Sequence, residues 1–268
     1  MFSIERSGYY AWLQKKPGKR EIANQSLDET VVSLFKKHHG RYGAKRITDD
    51  LRELGERCGK NRVAKRMLHL GLVAKAKKKF KVTTDSKHNL PVAPNVLNRD
   101  FKVTDPNQKW AGDISYLWTD EGWMYLAVVI DLYSRAVIGW SLQPTMTKKL
   151  VCDAFTMALW RRGFPRNVLF HSDRGSQYCS QEYQSLLKEN GFICSMSRKG
   201  NCWDNAVSES FFHTLKVELI HSEKYASRNS LKQSVFEYIE VYYNRVRRHS
   251  SLKSIAPFQY EAQLANVV

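Results

Sequence analysis

Trp110-Ala-Gly-Asp-Ile-Ser-Tyr-Leu-Trp118 is a β-rich segment in which apolar and polar side chains roughly alternate. This alternation is typical of a strand that buries one of its faces. Two more strand-like runs follow at residues 122–131 and 136–142, with turn residues between them. Because strands so close in sequence usually pair with each other, we predict three consecutive antiparallel strands. Asp113 lies in the first of them.

The rest of the C-terminal half alternates helical and strand-like patterns, which predicts an α/β fold with a mixed five-stranded sheet and helices on both faces. Gly163 and Pro165 close the first of these helices. The predicted elements are a helix at 147–162, a strand at 168–171, a helix at 180–190, a strand at 192–196 and a helix at 204–219.

The N-terminal part reads as all-helical. Ile47, Leu51 and Leu54 recur at helical spacing and Gly55 ends them, while Asn61 is a candidate N-cap of a second helix that ends at Gly71. Two short helices around a tight turn, the second one basic, predict a small helix-turn-helix domain. The alternative is a plain helical bundle with a solvated basic face.

Charge divides the chain into the same two parts. The chain carries 43 Lys or Arg against 26 Asp or Glu. Up to residue 105 the counts are 24 and 11, so most of the excess lies there. Such an excess indicates a polyanionic partner, with nucleic acid first and an anionic membrane second. We predict a helix-turn-helix region at 1–82, a basic, Pro-containing linker at 83–105, and a catalytic core with a C-terminal helical extension at 106–268.

Membrane, disulfide and zinc signals are missing from the sequence. The longest apolar run, residues 126–130, is far short of the roughly 20 residues that cross a bilayer, and no signal-peptide core is present. The five cysteines are odd in number and scattered, which favours free thiols. We therefore expect a cytoplasmic protein without membrane contact.

Three carboxylates lie at positions where α/β proteins usually carry functional residues. Asp113 lies in the first predicted strand, Asp173 just past the fourth and Glu209 in the helix after the fifth. If strands one and four are neighbours, both aspartates meet at one place and the helix can bring the glutamate across. Three carboxylates without His or Cys suit Mg²⁺ or Mn²⁺, and a pair of such ions can support phosphodiester chemistry. The alternative is that they are ordinary surface acids; for Asp131, a turn role is favoured over a ligand role.

Several motifs, spread over nearly the whole chain, resemble the transposases of insertion sequences of the IS-three group, the open-reading-frame-B product. This group belongs to the retroviral-integrase superfamily, whose catalytic core has a ribonuclease-H-like fold. The thirty-five residues of 174–208 match the family spacing between its second Asp and its Glu. The matching segments are Ser7–Trp12, Arg41–Ile47, Trp110–Tyr116, His171–Tyr178, Asp204–Phe212, and Tyr243–His249 with Pro257 after it.

The resemblance implies a DDE-type polynucleotidyl transferase in which Asp113, Asp173 and Glu209 hold the metal ions. It implies that water nicks the ends of the element, and that the freed 3′ hydroxyl attacks a second phosphodiester. Many relatives have Thr where this chain has Gly112, which leaves the backbone packing there open. The family also implies a homo-oligomer on DNA, and possible fusion to an upstream frame by ribosomal frameshifting.

Candidate DNA contacts follow from the pattern of charges and from the family resemblance. Trp203 precedes the catalytic helix in a loop, where a base-stacking role and a structural one stay open. Each basic candidate has the alternative of an ordinary solvated or helix-face cation. The candidates are Arg62, Lys65 and Arg66 on the basic helix; Trp203 in the loop; His213 and Lys216 on the helix face of Glu209; and Arg247 and Arg248 near the C-terminus.

Two functions other than a transposase fit the same residues. A structure-selective nuclease of this fold would hydrolyse DNA without joining it. A non-catalytic regulator would bind element ends only, and the intact carboxylates argue against it.

Overall fold

The computed structural model describes residues 5–14, 16, 18–75, 91–198 and 205–265. The chain divides into two compact units, residues 1–76 and 77–268. None of the described helices is long and apolar enough to span a bilayer. The four cysteines within the described ranges are free thiols.

The first unit is all-helical, as predicted. Its core forms where Val31, Ile47, Leu51 and Val63 meet, each of them fully buried. Gly59, not Asn61, occupies the N-cap of the basic helix, so the predicted cap was two residues late. The helices are α1 Arg6–Leu13, α2 Lys19–Lys37, α3 Ala44–Glu53 and α4 Lys60–His69.

The second unit is built on a mixed five-stranded sheet of order β3-β2-β1-β4-β5. The first three strands are antiparallel, and β4 lies parallel to both β1 and β5. The predicted sheet and the neighbouring positions of strands one and four are therefore confirmed. The strands are β1 Lys109–Thr119, β2 Gly122–Asp131, β3 Val137–Gln143, β4 Leu169–Ser172 and β5 Ile193–Met196.

Helices flank this sheet. The helix after β3 approaches it so closely that a Cβ on Gly139 would lie 2.1 Å from the Ala154 carbonyl oxygen. Trp110, Phe155 and Phe170 fill the core between them and are fully buried. The helices are α5 Lys148–Arg162, α6 Gln181–Glu189, α7 Ala206–Glu218, α8 Arg228–Phe236, a π-helix at Glu237–Tyr243, and α9 Pro257–Ala265.

Part of the predicted linker belongs to the second unit. Ser195 Oγ of β5 accepts hydrogen bonds from the backbone N–H groups of Val96 and Leu97, both at 3.0 Å. Leu97 is almost fully buried in a small cluster with Ala111 and Leu132. The prediction of a linker reaching residue 105 was wrong for this stretch, because short apolar anchors without periodicity resemble a linker in sequence. Residues 83–90 lie outside the described ranges.

The C-terminal extension completes the edge of the sheet. Asn244 is fully buried, and its side-chain amide exchanges two 2.9 Å hydrogen bonds with the backbone N–H and C=O of Val137 on β3. The amide thus takes the place of a neighbouring strand for that residue. Satisfying an edge strand in this way removes exposed backbone groups.

Candidate active site

The first aspartate lies on the central strand β1, and the second directly follows β4, the parallel neighbour of β1. The β1–β4 register pairs Ala111 with His171. When this register is continued by two residues, Asp113 lies level with Asp173, the residue that directly follows β4. Side chains level with one another on adjacent strands lie on the same face. The sheet therefore carries both carboxylates to one side of the β1–β4 junction.

Backbone N–H groups orient each aspartate. Asp113 Oδ1 accepts from Ile114 N at 2.8 Å, and Asp173 Oδ1 accepts from Gly175 N at 2.9 Å. A Cβ on Gly175 would lie only 3.0 Å from that same Asp173 oxygen. A glycine here lets the loop fold closely around the carboxylate.

Gly112 makes room for an aromatic ring beside the first aspartate. A Cβ at this position would lie 2.6 Å from Cζ of Phe170 and 3.3 Å from the Tyr178 hydroxyl. Phe170 thus occupies the space that a larger residue at position 112 would need. The packing that the sequence left open is a matched pair, with a small residue on β1 and a large one on β4.

The third acid approaches from helix α7, which packs against β1. Glu209 is solvent-exposed in the first turn of that helix. Burial, and then the charges of Asp173 and Glu209, raise the pKa of the half-buried Asp113 well above its ordinary range. Partial burial of the carboxyl also raises the pKa of Glu209. The three acids therefore lie in one electrostatic neighbourhood.

They do not form a preassembled metal cluster. Among the described residues, no three His, Cys, Asp or Glu side chains lie close enough together to hold an ion. The metal-ligand role of Asp113, Asp173 and Glu209 therefore stays a prediction. The donor set still consists of hard oxygen ligands, which suits Mg²⁺ or Mn²⁺.

Lys216 lies on the same side of α7 as Glu209. The side chain is half-buried, and burial lowers its pKa while the charge of Asp113 opposes that shift. Lys216 in turn lowers the pKa of Asp113. The ammonium group is therefore within electrostatic reach of the acids. His213, one turn earlier, is half-buried.

The two C-terminal arginines are structural rather than exposed. Arg247 is buried and donates to both carboxylate oxygens of Glu218, from Nε at 2.9 and 3.1 Å and from Nη2 at 2.8 Å. Arg248 is also buried, and its Nη1 donates to the Ser254 carbonyl at 2.7 Å. The prediction that they contact the DNA backbone is contradicted, because their donors face protein acceptors.

Two arginines of the basic helix also face protein. Arg66 forms a bidentate ion pair with Asp28 of α2, and Nη2 of Arg62 donates to Asn24 Oδ1 at 2.9 Å. These contacts give both arginines a protein partner, and their contact with DNA stays a prediction. Lys65 is exposed and stays a candidate DNA contact.

Asp131 and Trp203 are the remaining residues that the sequence singled out, and they lie on either side of the boundary between described and undescribed positions. Asp131 is fully buried and accepts from the N–H groups of Asn107 and Tyr133, both at 2.9 Å, which agrees with its turn role. Asn205 occupies the N-cap of α7, but its side chain makes no capping bond. Trp203 and Asp204 lie outside the described residues.

Sequence reasoning missed the buried ion pair at the end of α7. Tyr238 completes it by donating from its hydroxyl to Glu218 Oε2 at 2.9 Å. Burial alone would lower the pKa of Arg247, yet Glu218 holds it above its ordinary value. No local pattern identifies Glu218, because its partner is 29 residues away.

Family comparisons agree with this architecture. An integrase core domain family matches residues 103–202, a second family with the same description matches 209–264, and an HTH-like domain family matches 21–80. The α3–α4 pair falls within the HTH-like match. The fold and the site thus define a protein with an integrase-type catalytic core and an HTH-like domain.

Named relatives identify the family of this chain. The chain is 53% identical over 260 residues to the transposase InsF for insertion sequence IS3A of Escherichia coli (strain K12), covering 96% of this chain and 90% of that protein. It is 42% identical over 257 residues to an insertion element IS600 uncharacterized 31 kDa protein of Shigella sonnei, covering 96% and 94%. This chain belongs to the IS3-family insertion-sequence transposases.

A solved structure supports the fold independently. A chain of the simian T-cell lymphotropic virus intasome, in complex with PP2A regulatory subunit B56 gamma, aligns with a TM-score of 0.50 and 16% identity. The alignment covers 86% of this chain and 74% of that one. At this identity the likeness shows the fold alone.

Proposed function

We propose that this transposase cleaves DNA at the ends of an insertion element and joins the freed 3′ ends to target DNA, with Asp113, Asp173 and Glu209 as metal ligands. The observation that carries the proposal is the shared position of the two aspartates on parallel neighbouring strands, with the charge of Glu209 acting on Asp113. Burial and the neighbouring carboxylates raise the pKa of Asp113, and burial raises the pKa of Glu209, as expected for acids drawn together at one place.

Mg²⁺ or Mn²⁺ fits this donor set, and two bound ions would supply charge stabilisation for the attacking and leaving oxygens of a phosphodiester. The residues of the chain do the rest. Ile114 N and Gly175 N hold the aspartates in place, α7 carries Glu209, and Lys216 offers a cation to a DNA phosphate. Positioning and charge are the main contributions that a protein makes to phosphoryl transfer.

DNA is the proposed partner of both units. Lys65 on the HTH-like unit is an exposed cation suited to phosphate contact. A homo-oligomer on DNA and a fusion with an upstream-frame product stay predictions, and so does the proposed base contact of Trp203.

The test is incubation of the purified chain with labelled element ends, target DNA and Mg²⁺ or Mn²⁺, scored for nicked and joined products. The wild type should give both products. Asp113→Asn and Asp173→Asn, which remove a ligand charge with little change of shape, should give neither and still bind end DNA. Nicking without joining would favour a structure-selective nuclease. Binding with neither product would favour a non-catalytic regulator.

A further inference from the structure

A cavity of about 480 Å³ lies in the second unit, away from the carboxylates. It is formed by the segment before β1, the turn after β2 and the C-terminal extension. Its volume is in the range of small-molecule sites. Gln108 lines it, and Asp113 lies five residues further along β1, about 17 Å away at the rise of a strand. Its walls include Phe101, Lys102, Tyr133, Arg135, Leu252 and Tyr260.

Arg135 reaches this cavity from an uncommon backbone conformation. It ends the turn after β2, where its N–H donates to the Asp131 carbonyl at 2.8 Å, and its φ is +60°. This left-handed region favours Gly, Asn and Asp over a long side chain. An arginine here holds a guanidinium at the cavity wall despite that preference.

Among the described residues, the guanidinium donates no side-chain hydrogen bond and forms no ion pair. Arg135 takes part in hydrogen bonds only through its backbone, including its carbonyl, which accepts from the Tyr243 hydroxyl at 3.2 Å. Burial lowers the pKa of Arg135, and Tyr243 and then Asp131 offset this shift only in part. A half-buried cation without an acceptor is costly unless an anion meets it.

The acids around the cavity are already engaged. Asp131 accepts two backbone N–H groups and lies 3.8 Å from Arg162. Glu261 is held by a bidentate pair with the same arginine. Asp105 accepts from Gln108 Nε2 at 3.1 Å. None of these three carboxylates forms an ion pair with Arg135, and the charge of Asp131 offsets its burial only in part, so the guanidinium suits an anion that enters the cavity.

Several other residues that line the cavity are aromatic or aliphatic. The rings of Tyr133 and Tyr260 contact each other with centroids 5.1 Å apart, and Phe101 and Leu252 also line the cavity. Nucleic-acid bases stack on aromatic side chains with little regard to sequence. We propose that this cavity binds a nucleotide, with the phosphate at Arg135 and Lys102 and the base or sugar against the aromatic wall.

The experiment is titration calorimetry of the full chain in EDTA with thymidine 5′-monophosphate, thymidine and inorganic phosphate. Because it uses neither metal nor element ends, its result does not depend on the cleavage and joining proposed above. Arg135→Gly removes the guanidinium and relaxes the left-handed backbone, so this variant should melt no lower than the wild type. Arg135→Asn is a second variant suited to the same conformation. Lys253→Gly is the matched control, since it removes a cation from another left-handed position (φ +53°) beside the cavity.

We expect the wild type to bind the monophosphate more tightly than thymidine or phosphate alone. Arg135→Gly and Arg135→Asn should weaken this binding at least about tenfold, as expected for loss of a charge-assisted contact, and Lys102→Gln should weaken it less. Lys253→Gly should bind like the wild type. The proposal is overturned by equal binding of inorganic phosphate and monophosphate, by unchanged binding in both Arg135 variants, or by an equal loss in Lys253→Gly.

Discussion

Helix α7 carries a glutamate at each end, and the two differ in almost every respect. Glu209 in the first turn is exposed and lies among other acids. Glu218 in the last turn is buried, where it accepts a bidentate pair from Arg247 and a hydrogen bond from Tyr238. A carboxylate that the protein itself neutralises is part of the structure. A carboxylate crowded by like charges is available to an external cation.

The sharpest test of this comparison is to neutralise each glutamate separately. Glu209→Gln should bring joining to background and leave the melting temperature nearly unchanged, because its side chain is exposed. Glu218→Gln should cost about 3 to 5 kcal/mol of unfolding free energy, because the buried Arg247 charge loses its partner. Denaturant unfolding and the joining assay measure the two effects.

A double variant provides the control. Glu218→Gln with Arg247→Met removes the buried charge altogether, so it should recover a large part of the stability that Glu218→Gln loses. DNA affinity of the folded double variant should match the wild type, since Arg247 faces protein. If Glu218→Gln unfolds like the wild type, the ion pair does not stabilise the end of α7.

Lys216 lies between the two ends of the helix and should have an intermediate effect. Lys216→Ala should slow joining and weaken binding of the cleaved end by about tenfold, as loss of one charged phosphate contact. Lys216→Glu should be worse through repulsion of phosphate and acids. Mn²⁺ binding by calorimetry should persist in Lys216→Ala, and loss of that binding would instead make the lysine part of the metal site. An unchanged joining rate and end affinity would mean that Lys216 does not contact the DNA end.

The crowded acids should leave a pH signature in the metal-free protein. The pKa of folded Asp113 is raised, so its contribution to stability is full below the unfolded pKa of about 4 and is lost as pH rises through the folded pKa. Asp113→Asn should therefore melt a few degrees higher than the wild type at neutral pH, with the difference shrinking toward pH 4. Calorimetric melting in EDTA across pH 4 to 8 measures this. A difference independent of pH would contradict the raised pKa of buried Asp113.

The smallest effects should come from the basic helix of the first unit. Lys65→Ala should weaken binding to cognate and random DNA alike and reduce the slope of log affinity against log salt by about one. Arg66→Ala should act through its ion pair with Asp28, and so change the melting behaviour of this unit before it changes sequence preference. A loss confined to cognate DNA in Arg66→Ala would restore a base-reading role.

The sequence by itself determined the sheet, the strand order around Asp113 and the positions of the three acids along the elements. The periods of strands (2.0 residues) and helices (3.6 residues) and the positions of turn residues are local properties, so they can be recognised in a single sequence. The same local reading extended the linker to residue 105, although Leu97 packs on the core, and missed Gly59 as the cap of α4.

Only the tertiary structure decided which charges are paired. Arg247 and Glu218 are 29 residues apart, and Arg66 and Asp28 are 38 apart. No pattern in sequence distinguishes an arginine that meets a distant carboxylate from one that meets DNA. The same holds for Arg135, whose place at a cavity wall depends on segments before β1 and after α8. The sequence shows which residues are charged. The partner of each charged residue depends on long-range packing, because the energy of an ion depends on what surrounds it.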